Sequence, residues 1–136
     1  FALNALMIGI GAAIAPRFKK ETTGLRNGSV HFVVAACMLA ACLLAHLPLI
    51  AVMACYMYLL CSFGLMQPGL TATALDAERE NAGAASAIFG ASGFVAGAVS
   101  SPIVAMGDIE VTSSCVVVAG AVTCIVLTLP LCKRIE

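Results

Sequence analysis

Charged side chains are scarce in this chain. Asp, Glu, Lys and Arg make up 10% of its 136 residues, whereas apolar residues make up 62%. A soluble domain has about 25% charged residues, and a chain this short has too much surface to cover with so few charges. A soluble globular fold is therefore excluded. The formal net charge is zero, so nothing in the composition points to a nucleic-acid partner.

The sequence also lacks the motifs of enzymes and metal sites. Its seven Cys form no CxxC pair, no Cys and His have zinc-site spacing, and neither GxSxG nor HExxH occurs. We therefore expect no enzymatic activity, no metal and no cofactor. The Cys residues are typical of small apolar packing residues, and we expect no disulfide within the apolar stretches. His31 and His46 are predicted to lie near helix ends, at the membrane interface.

What the chain does have is a series of long uncharged stretches. A hydrocarbon core about 30 Å thick takes roughly 20 apolar residues in a helix. We expect an all-α fold, a polytopic bundle of five transmembrane helices. The first span is slightly short and does not begin with Met, so we expect further chain upstream. The competing interpretation of residues 1–16 is a signal peptide, but a signal peptide would need a basic N-terminal region, which is absent. The predicted spans are about 1–16, 28–46, 48–72, 82–106 and 111–132.

All seven Lys and Arg residues fall on one side of this arrangement. Loops on the cytoplasmic side of a membrane retain positive charge. The pattern predicts a multi-pass protein of the inner (plasma) membrane, with a cytoplasmic C-terminus and Phe1 on the outer side. The basic residues that carry this prediction are Arg17, Lys19, Lys20, Arg26, Arg79, Lys133 and Arg134.

The third span is the richest in large, flexible and amphipathic side chains. Met and aromatic surfaces repack around different apolar ligands, and a buried amide such as Gln67 needs partners in lipid. Pro68 and Gly69 predict a kink or hinge at the end of this span. Simple helix–helix packing is the competing interpretation of the stripe. The residues predicted to line a substrate cavity here, all at helical spacing, are Met53, Tyr56, Met57, Phe63 and Gln67.

The fourth span carries small residues along one face. Ser86, Gly90, Gly93, Gly97 and Ser101 follow one another at intervals of three or four residues. Lipid supplies no hydrophobic drive between helices, so small residues that let two backbones approach are what hold such helices together. We therefore predict a helix-packing interface on this face.

The first span has a shorter version of the same feature. Gly9, Gly11 and Ala12 are small residues close together, and Gly9 is predicted to lie in a packing interface. Asn4 is the only polar side chain in this span. We add Asn4 to the substrate-cavity candidates.

Three stretches of the chain resemble the C-terminal half of a major facilitator superfamily transporter, and more narrowly the Bcr/CflA-type drug-efflux branch. Residues 1–5 resemble the start of that family's eighth helix. The segment from Gln67-Pro68-Gly69 to the Ala82–Ala87 element AGAASA resembles its junction between helices ten and eleven. The stretch 90–102 resembles its small-residue eleventh helix. The likeness covers essentially the whole chain, which would correspond to helices eight to twelve.

The resemblance implies a role for each span. The third would line the central cavity, the first and fourth would pack against the N-terminal half, and the second and fifth would lie outermost. The loop Arg17–Arg26 resembles a degenerate copy of the superfamily's cytoplasmic gating motif, without its acidic residue. The implied activity is proton-coupled efflux of small amphipathic molecules by alternating access. The partners are the substrate, membrane lipid and the missing N-terminal half.

No acidic residue lies within a predicted span. Proton-coupled transport needs an ionisable group in the membrane, so the coupling carboxylate is expected in the N-terminal half, and this part should not transport alone. The alternative to a transporter is a membrane anchor or scaffold subunit of a larger complex. The Met- and Tyr-rich face beside Pro68 and Gly69 favours the transporter.

Overall fold

The computed structural model describes residues 1–18, 21–77 and 79–135. Lys19 and Lys20, two of the basic residues used to predict orientation, lie outside this part of the chain. The described residues form five α-helices and no strand. They are α1 (Ala2–Ile14), α2 (Glu21–Leu44), α3 (Leu49–Ala77), α4 (Ala82–Ala105) and α5 (Ile109–Ile135), with short 3-10 turns at Ala15–Arg17 and Arg79–Asn81.

The helices confirm the predicted all-α membrane bundle. Four of them, α2 to α5, are long and apolar enough to cross a membrane, and α1 with its 3-10 turn is a shorter apolar helix. Several helices extend past the predicted spans: α2 begins at Glu21 instead of near residue 28, and α3 continues to Ala77 instead of ending near 72. Hydropathy marks only the hydrocarbon layer, whereas helical hydrogen bonding continues into the polar interface.

The helix α2 lies at the centre of the packing, between α3 and α5, and α1 packs on α3. Of the apolar segment of α2, 33% is buried, against 28% for α3. The prediction that the second span lies outermost concerns the complete transporter and stays a prediction. Small side chains make the packing of α2 possible: Ala35 and Ala36 are fully buried against α3 and α5. Close backbone approach through small residues is the usual means of packing helices in lipid.

Two clusters of buried side chains hold α2, α3 and α5 together. Hydroxyl groups at the same interfaces bond to carbonyls of their own helices: Ser29 donates to Leu25 O (2.8 Å) and Ser114 to Glu110 O (2.6 Å). These bonds satisfy buried polar atoms without a partner on another helix. The first cluster comprises Ala35, Ala36, Leu39, Cys55, Leu59 and Ala121, and the second comprises Leu25, Met66 and Cys132.

The crossing of α1 and α3 depends on two glycines. A Cβ atom at Gly11 would overlap the Cys61 carbonyl oxygen and lie 2.8 Å from the Leu65 nitrogen. A Cβ atom at Gly64 would overlap the Ile8 carbonyl oxygen and lie 2.9 Å from the Ile8 Cα. Both obstacles are backbone atoms, which no side-chain rotation can move. The two helices therefore touch backbone to backbone at this point.

The turn between α2 and α3 has backbone hydrogen bonds of its own and contacts α5 through the side chain of His46. His46 has a φ of 50°, and the amide of Leu47 donates to Cys42 O (3.0 Å), the bond that closes a Schellman motif. The Nδ1 atom of His46 lies 2.6 Å from a carboxylate oxygen of Glu110, in the first turn of α5. The turn is thereby tied to α5 at the end of the bundle opposite Arg17 and Lys133.

The glycine crossing predicts a position-specific effect of one added methyl group. We expect Gly11→Ala to lower the unfolding free energy by about 1–3 kcal/mol, the usual cost of overpacking. Gly9→Ala is the matched control, since it gains the same helix propensity and meets open space within the described residues. Unfolding of both variants in mixed detergent micelles measures the difference. Equal stability of the two variants would contradict the crossing.

The packing of α2 on α3 predicts a specific oxidative cross-link. The Sγ atoms of Cys42 and Cys55 lie 3.5 Å apart, and a small movement brings them to the ~2.05 Å of a disulfide. We expect copper phenanthroline to oxidise this pair, with loss of two hydrogens detectable by peptide mass spectrometry. Cys42→Ser should abolish the link. A dominant link through Cys37 instead would contradict the helix register.

Candidate functional site: the open face of helix α3

Neighbouring helices cover two sides of α3. Cys55, Leu59 and Met66 are buried at helical spacing on the side that packs against α2 and α5. Gly64 and the backbone of Cys61 meet α1 on a second side. The third side lies opposite these contacts by helical geometry, and we call it the open face of α3. It consists of Met53, Tyr56, Leu60, Phe63 and Gln67, with Met57, seven residues before Gly64, at its border with α1.

The structure brings most of the predicted cavity residues onto this open face. Met53 is 44% exposed and Tyr56 is 38% exposed, although both lie in the membrane-spanning part of α3. Met57 and Gln67 are partly buried. Phe63 lies at the edge of the face, where its ring packs at 6.4 Å on that of Phe32 from α2.

Asn4 is the one predicted cavity residue outside α3. It is partly buried on α1 and comes seven residues before Gly11, or about 10 Å along the helix at 1.5 Å per residue. Since Pro16 and Pro68 border the same cavity beyond the crossing, α1 and α3 run in the same direction. Asn4 therefore lies at the level of the end of α3 that carries Met53 and Met57.

The chemistry of the open face suits an apolar or aromatic ligand with a polar group. From Met53 to Gln67 it runs for about 21 Å at 1.5 Å per residue. Thioether side chains adapt to ligands of different shape, and the Tyr56 ring offers both a flat apolar surface and a hydroxyl. Gln67 adds an amide that both donates and accepts hydrogen bonds.

Pro68 and Gly69 do not interrupt α3, which is helical from Leu49 to Ala77. Pro68 has no N–H to donate to the carbonyl of Gly64, the residue at the crossing with α1. The next turn has added hydroxyl bonds, from Thr71 to Gln67 O (3.0 Å) and from Thr73 to Gly69 O (2.8 Å). A hinge at this point stays a prediction.

A cavity of about 350 Å³ lies beside this proline. It lies between the 3-10 turn after α1, the first turns of α2 and residues 65–69 of α3. Its lining residues are Ala15, Pro16, Phe18, Gly24, Leu25, Leu65, Pro68 and Gly69.

The small-residue face of α4 has no packing partner within the described residues. No residue of α4 is buried, and a Cβ atom at Gly90, Gly93 or Gly97 would meet nothing within 4 Å. Ser86 and Ser101 are exposed as well. The same holds for Gly9, since the close approach of α1 uses Gly11 instead. An interface at Gly9 and on α4 therefore stays a prediction about what lies outside the described residues.

A polar pair that the sequence did not predict lies on another side of α3. His31 Nδ1 and the Tyr58 hydroxyl oxygen are 2.7 Å apart, with the rings edge to face at 6.1 Å. The sequence predicts His31 near a helix end, whereas α2 begins at Glu21, ten residues before His31. One feature of the sequence could have indicated this pair. His31 and Tyr58 are separated from the turn between α2 and α3 by similar numbers of residues, so they lie at a similar height when the two helices pack antiparallel.

The His31–Tyr58 pair borders a cavity of about 180 Å³ formed by α1, α2 and α3. The two remaining hydrogen-bonding side chains of that lining are Cys61 and Ser62, and the Ser62 hydroxyl donates to Tyr58 O (2.9 Å). The lining comprises Gly11, Ile14, His31, Tyr58, Cys61, Ser62 and Leu65, none of them carrying a fixed charge.

Comparisons of the chain with protein-family models, with curated proteins and with solved structures find no match. We therefore treat the resemblance to the transporter superfamily as part of a proposal. The geometry itself supports a membrane bundle in which α3 has a partly exposed amphipathic side.

Proposed function

We propose that this chain is the C-terminal part of a secondary active transporter of the inner (plasma) membrane, a proton-coupled antiporter that exports small amphipathic molecules by alternating access. The observation that carries the proposal is the open face of α3. A helix that packs on two sides and keeps Met53 and Tyr56 exposed and Gln67 partly exposed on a third side has the form of a cavity wall.

The composition of the open face supports a broad substrate class. A helix that only met lipid would gain nothing from Tyr56 and Gln67 in its apolar part, because polar side chains in hydrocarbon need partners. Met53 and Met57 supply adaptable apolar contacts. Together these groups favour small molecules that are mainly apolar and carry a few polar atoms.

The small-residue face of α4, which has no partner within the described residues, supports a second part of the proposal. This part is that an N-terminal half of the transporter precedes the chain and packs against α4. Gly90, Gly93 and Gly97 leave room for a helix at close range. In alternating access, one half rocks against the other around the substrate. We propose that α4, with Gly9 on α1, packs on the preceding half, and that the C-terminus is cytoplasmic as the basic residues indicate.

The acidic groups within the described part of the chain lie at helix ends and in loops. Asp108 caps α5, accepting from the amide of Glu110 (3.0 Å), and Asp76 is in the last turn of α3. A carboxylate that couples proton movement to transport is thus assigned to the preceding half.

The alternative function is that of a non-transport membrane anchor or scaffold subunit. It is favoured by the same uncovered α4, because a partner helix of any complex could cover it. The two functions differ in what the open face of α3 does: a transporter needs Tyr56 and Gln67 for substrate, whereas an anchor needs only the packing faces.

The test is drug efflux by the protein expressed from its complete gene, measured in everted vesicles with an imposed proton gradient. We expect Tyr56→Ala and Gln67→Ala to change the substrate profile, with about tenfold weaker transport of some substrates, equivalent to about 1.4 kcal/mol of lost contact. Leu127→Ala is the control, because Leu127 is 66% exposed on α5, away from the open face. Unchanged substrate profiles in both open-face variants would count against the cavity, and absence of efflux by the wild type would favour the anchor.

A further inference from the structure

Positive charge is concentrated between the end of α1 and the second turn of α2. Residues 17–26 include four basic residues, Arg17, Lys19, Lys20 and Arg26. Glu21 is the one acidic residue among them. Arg17 and Arg26 are exposed, and no ion pair joins either guanidinium to a carboxylate in the part of the chain that the structure describes. Both guanidinium groups are therefore free to pair with an anion from outside the protein.

The cavity of about 350 Å³ between the turn after α1, α2 and α3 adjoins Arg17. Pro16 and Phe18, the residues on either side of Arg17, both line this cavity. The cavity is partly open to the outside of the bundle. An anionic group at its mouth is therefore within reach of the long Arg17 side chain.

Arg26 lies away from the same cavity. Gly24 and Leu25 line the cavity from α2. At about 100° per residue, Arg26 lies roughly 150° around the helix from the middle of this pair. Val30, four residues further along α2, is 43% exposed on that other side. Arg17 and Arg26 thus carry the same charge in the same segment, but one of them adjoins the cavity and the other does not.

The cavity suits hydrocarbon better than water. None of its lining side chains has a polar atom, and the largest of them are Phe18, Leu25 and Leu65. For comparison, a cavity of about 150 Å³ lined by Leu, Ile and Phe stays dry and binds benzene. A volume of about 350 Å³ therefore accommodates part of a hydrocarbon chain.

The cavity lies near the membrane interface. Its lining residues fall within 15–18, 24–25 and 65–69, whereas the predicted spans end near residue 16, begin near 28 and end near 72. Lipid headgroups and the first part of their acyl chains lie at this depth. Anionic lipids are attracted to basic residues beside transmembrane helices, and basic pockets between such helices bind their headgroups.

We propose that Arg17 and this cavity form a binding site for one anionic phospholipid. The lipid phosphate pairs with the Arg17 guanidinium, a charge-assisted and directional contact, and the glycerol and upper acyl chain occupy the cavity. The bound lipid contacts the turn after α1 together with α2 and α3, and so stabilises this end of the bundle. The site does not depend on transport.

The test is thermal unfolding of the delipidated protein, expressed from its complete gene, in non-ionic detergent with added lipid. A ligand that binds only the folded state raises the unfolding midpoint as its concentration increases. We expect phosphatidylglycerol to raise the midpoint at concentrations at which phosphatidylcholine and glycerol 3-phosphate do not. Equal stabilisation by phosphatidylcholine would overturn the role of the Arg17 charge. Equal stabilisation by glycerol 3-phosphate would show a site for the bare anion and overturn the role of the cavity.

Two variants locate the site. We expect Arg17→Gln to weaken phosphatidylglycerol binding about fivefold, the usual contribution of one basic residue near a membrane surface. Gly24→Leu should weaken it as well, because the added side chain fills the cavity. A Cβ atom at Gly24 meets its nearest neighbours, Phe18 and Ala15, at 3.6 Å or more, so the larger residue fits there. If Gly24→Leu nevertheless does not fold, the exposed Arg17 still decides.

Arg26→Gln is the matched control, since it removes the same charge from the same segment on the side away from the cavity. At about 0.15 M salt, where charges beyond about 8 Å are screened, we expect this variant to bind phosphatidylglycerol within about twofold of the wild type. Equal losses in Arg17→Gln and Arg26→Gln would indicate a general attraction to the basic segment and overturn the site. Unchanged binding in Arg17→Gln would overturn it too.

Discussion

The backbone contact between α1 and α3 is the constraint on which the rest of the arrangement depends. Gly11 and Gly64 bring the two helices so close that a Cβ at either position would overlap the other backbone. This contact fixes the rotation of α3. With one side turned to α1 and a second buried against α2 and α5, the side that carries Tyr56 and Gln67 is left partly exposed. The same rotation places Tyr58 in the groove beside α1, where it meets His31.

Because the helices pack within lipid, small residues and hydroxyl groups occupy many of the helix contacts in this chain. Ala35 and Ala36 let α2 approach α3 and α5, and buried hydroxyls such as that of Ser29 bond within their own helix. Since lipid is as apolar as the side chains, close contact has to supply what hydrophobic burial supplies in a soluble protein. The large apolar side chains therefore point outward on α5, where Val126 and Leu127 are more than half exposed.

The sequence predicts the architecture well and the packing poorly. Helix number, approximate bounds and the α3 stripe follow from uncharged runs and from 3.6-residue periodicity. Periodicity could not say which small residues meet a neighbour: Gly9 and the glycines of α4 share their pattern with Gly11, yet only Gly11 touches another backbone. The sequence does not reveal that α2 packs between α3 and α5, because the Ala-rich face of α2 is no more apolar than its lipid-facing side. Hydropathy therefore cannot distinguish the two sides. The contact between His31 and Tyr58 could not be predicted, because it depends on the register of α2 against α3, and hydropathy does not give that register.

The central claim is that the open face of α3 borders a water-accessible substrate path and not lipid. Its most direct measurement is labelling by a membrane-impermeant thiol reagent of single-Cys variants in an otherwise Cys-free protein from the complete gene. The account predicts that Tyr56→Cys and Gln67→Cys react and are protected by substrate, whereas Leu59→Cys, which is buried, and Val126→Cys do not. Labelling of Tyr56→Cys and Gln67→Cys no faster than Val126→Cys would contradict it.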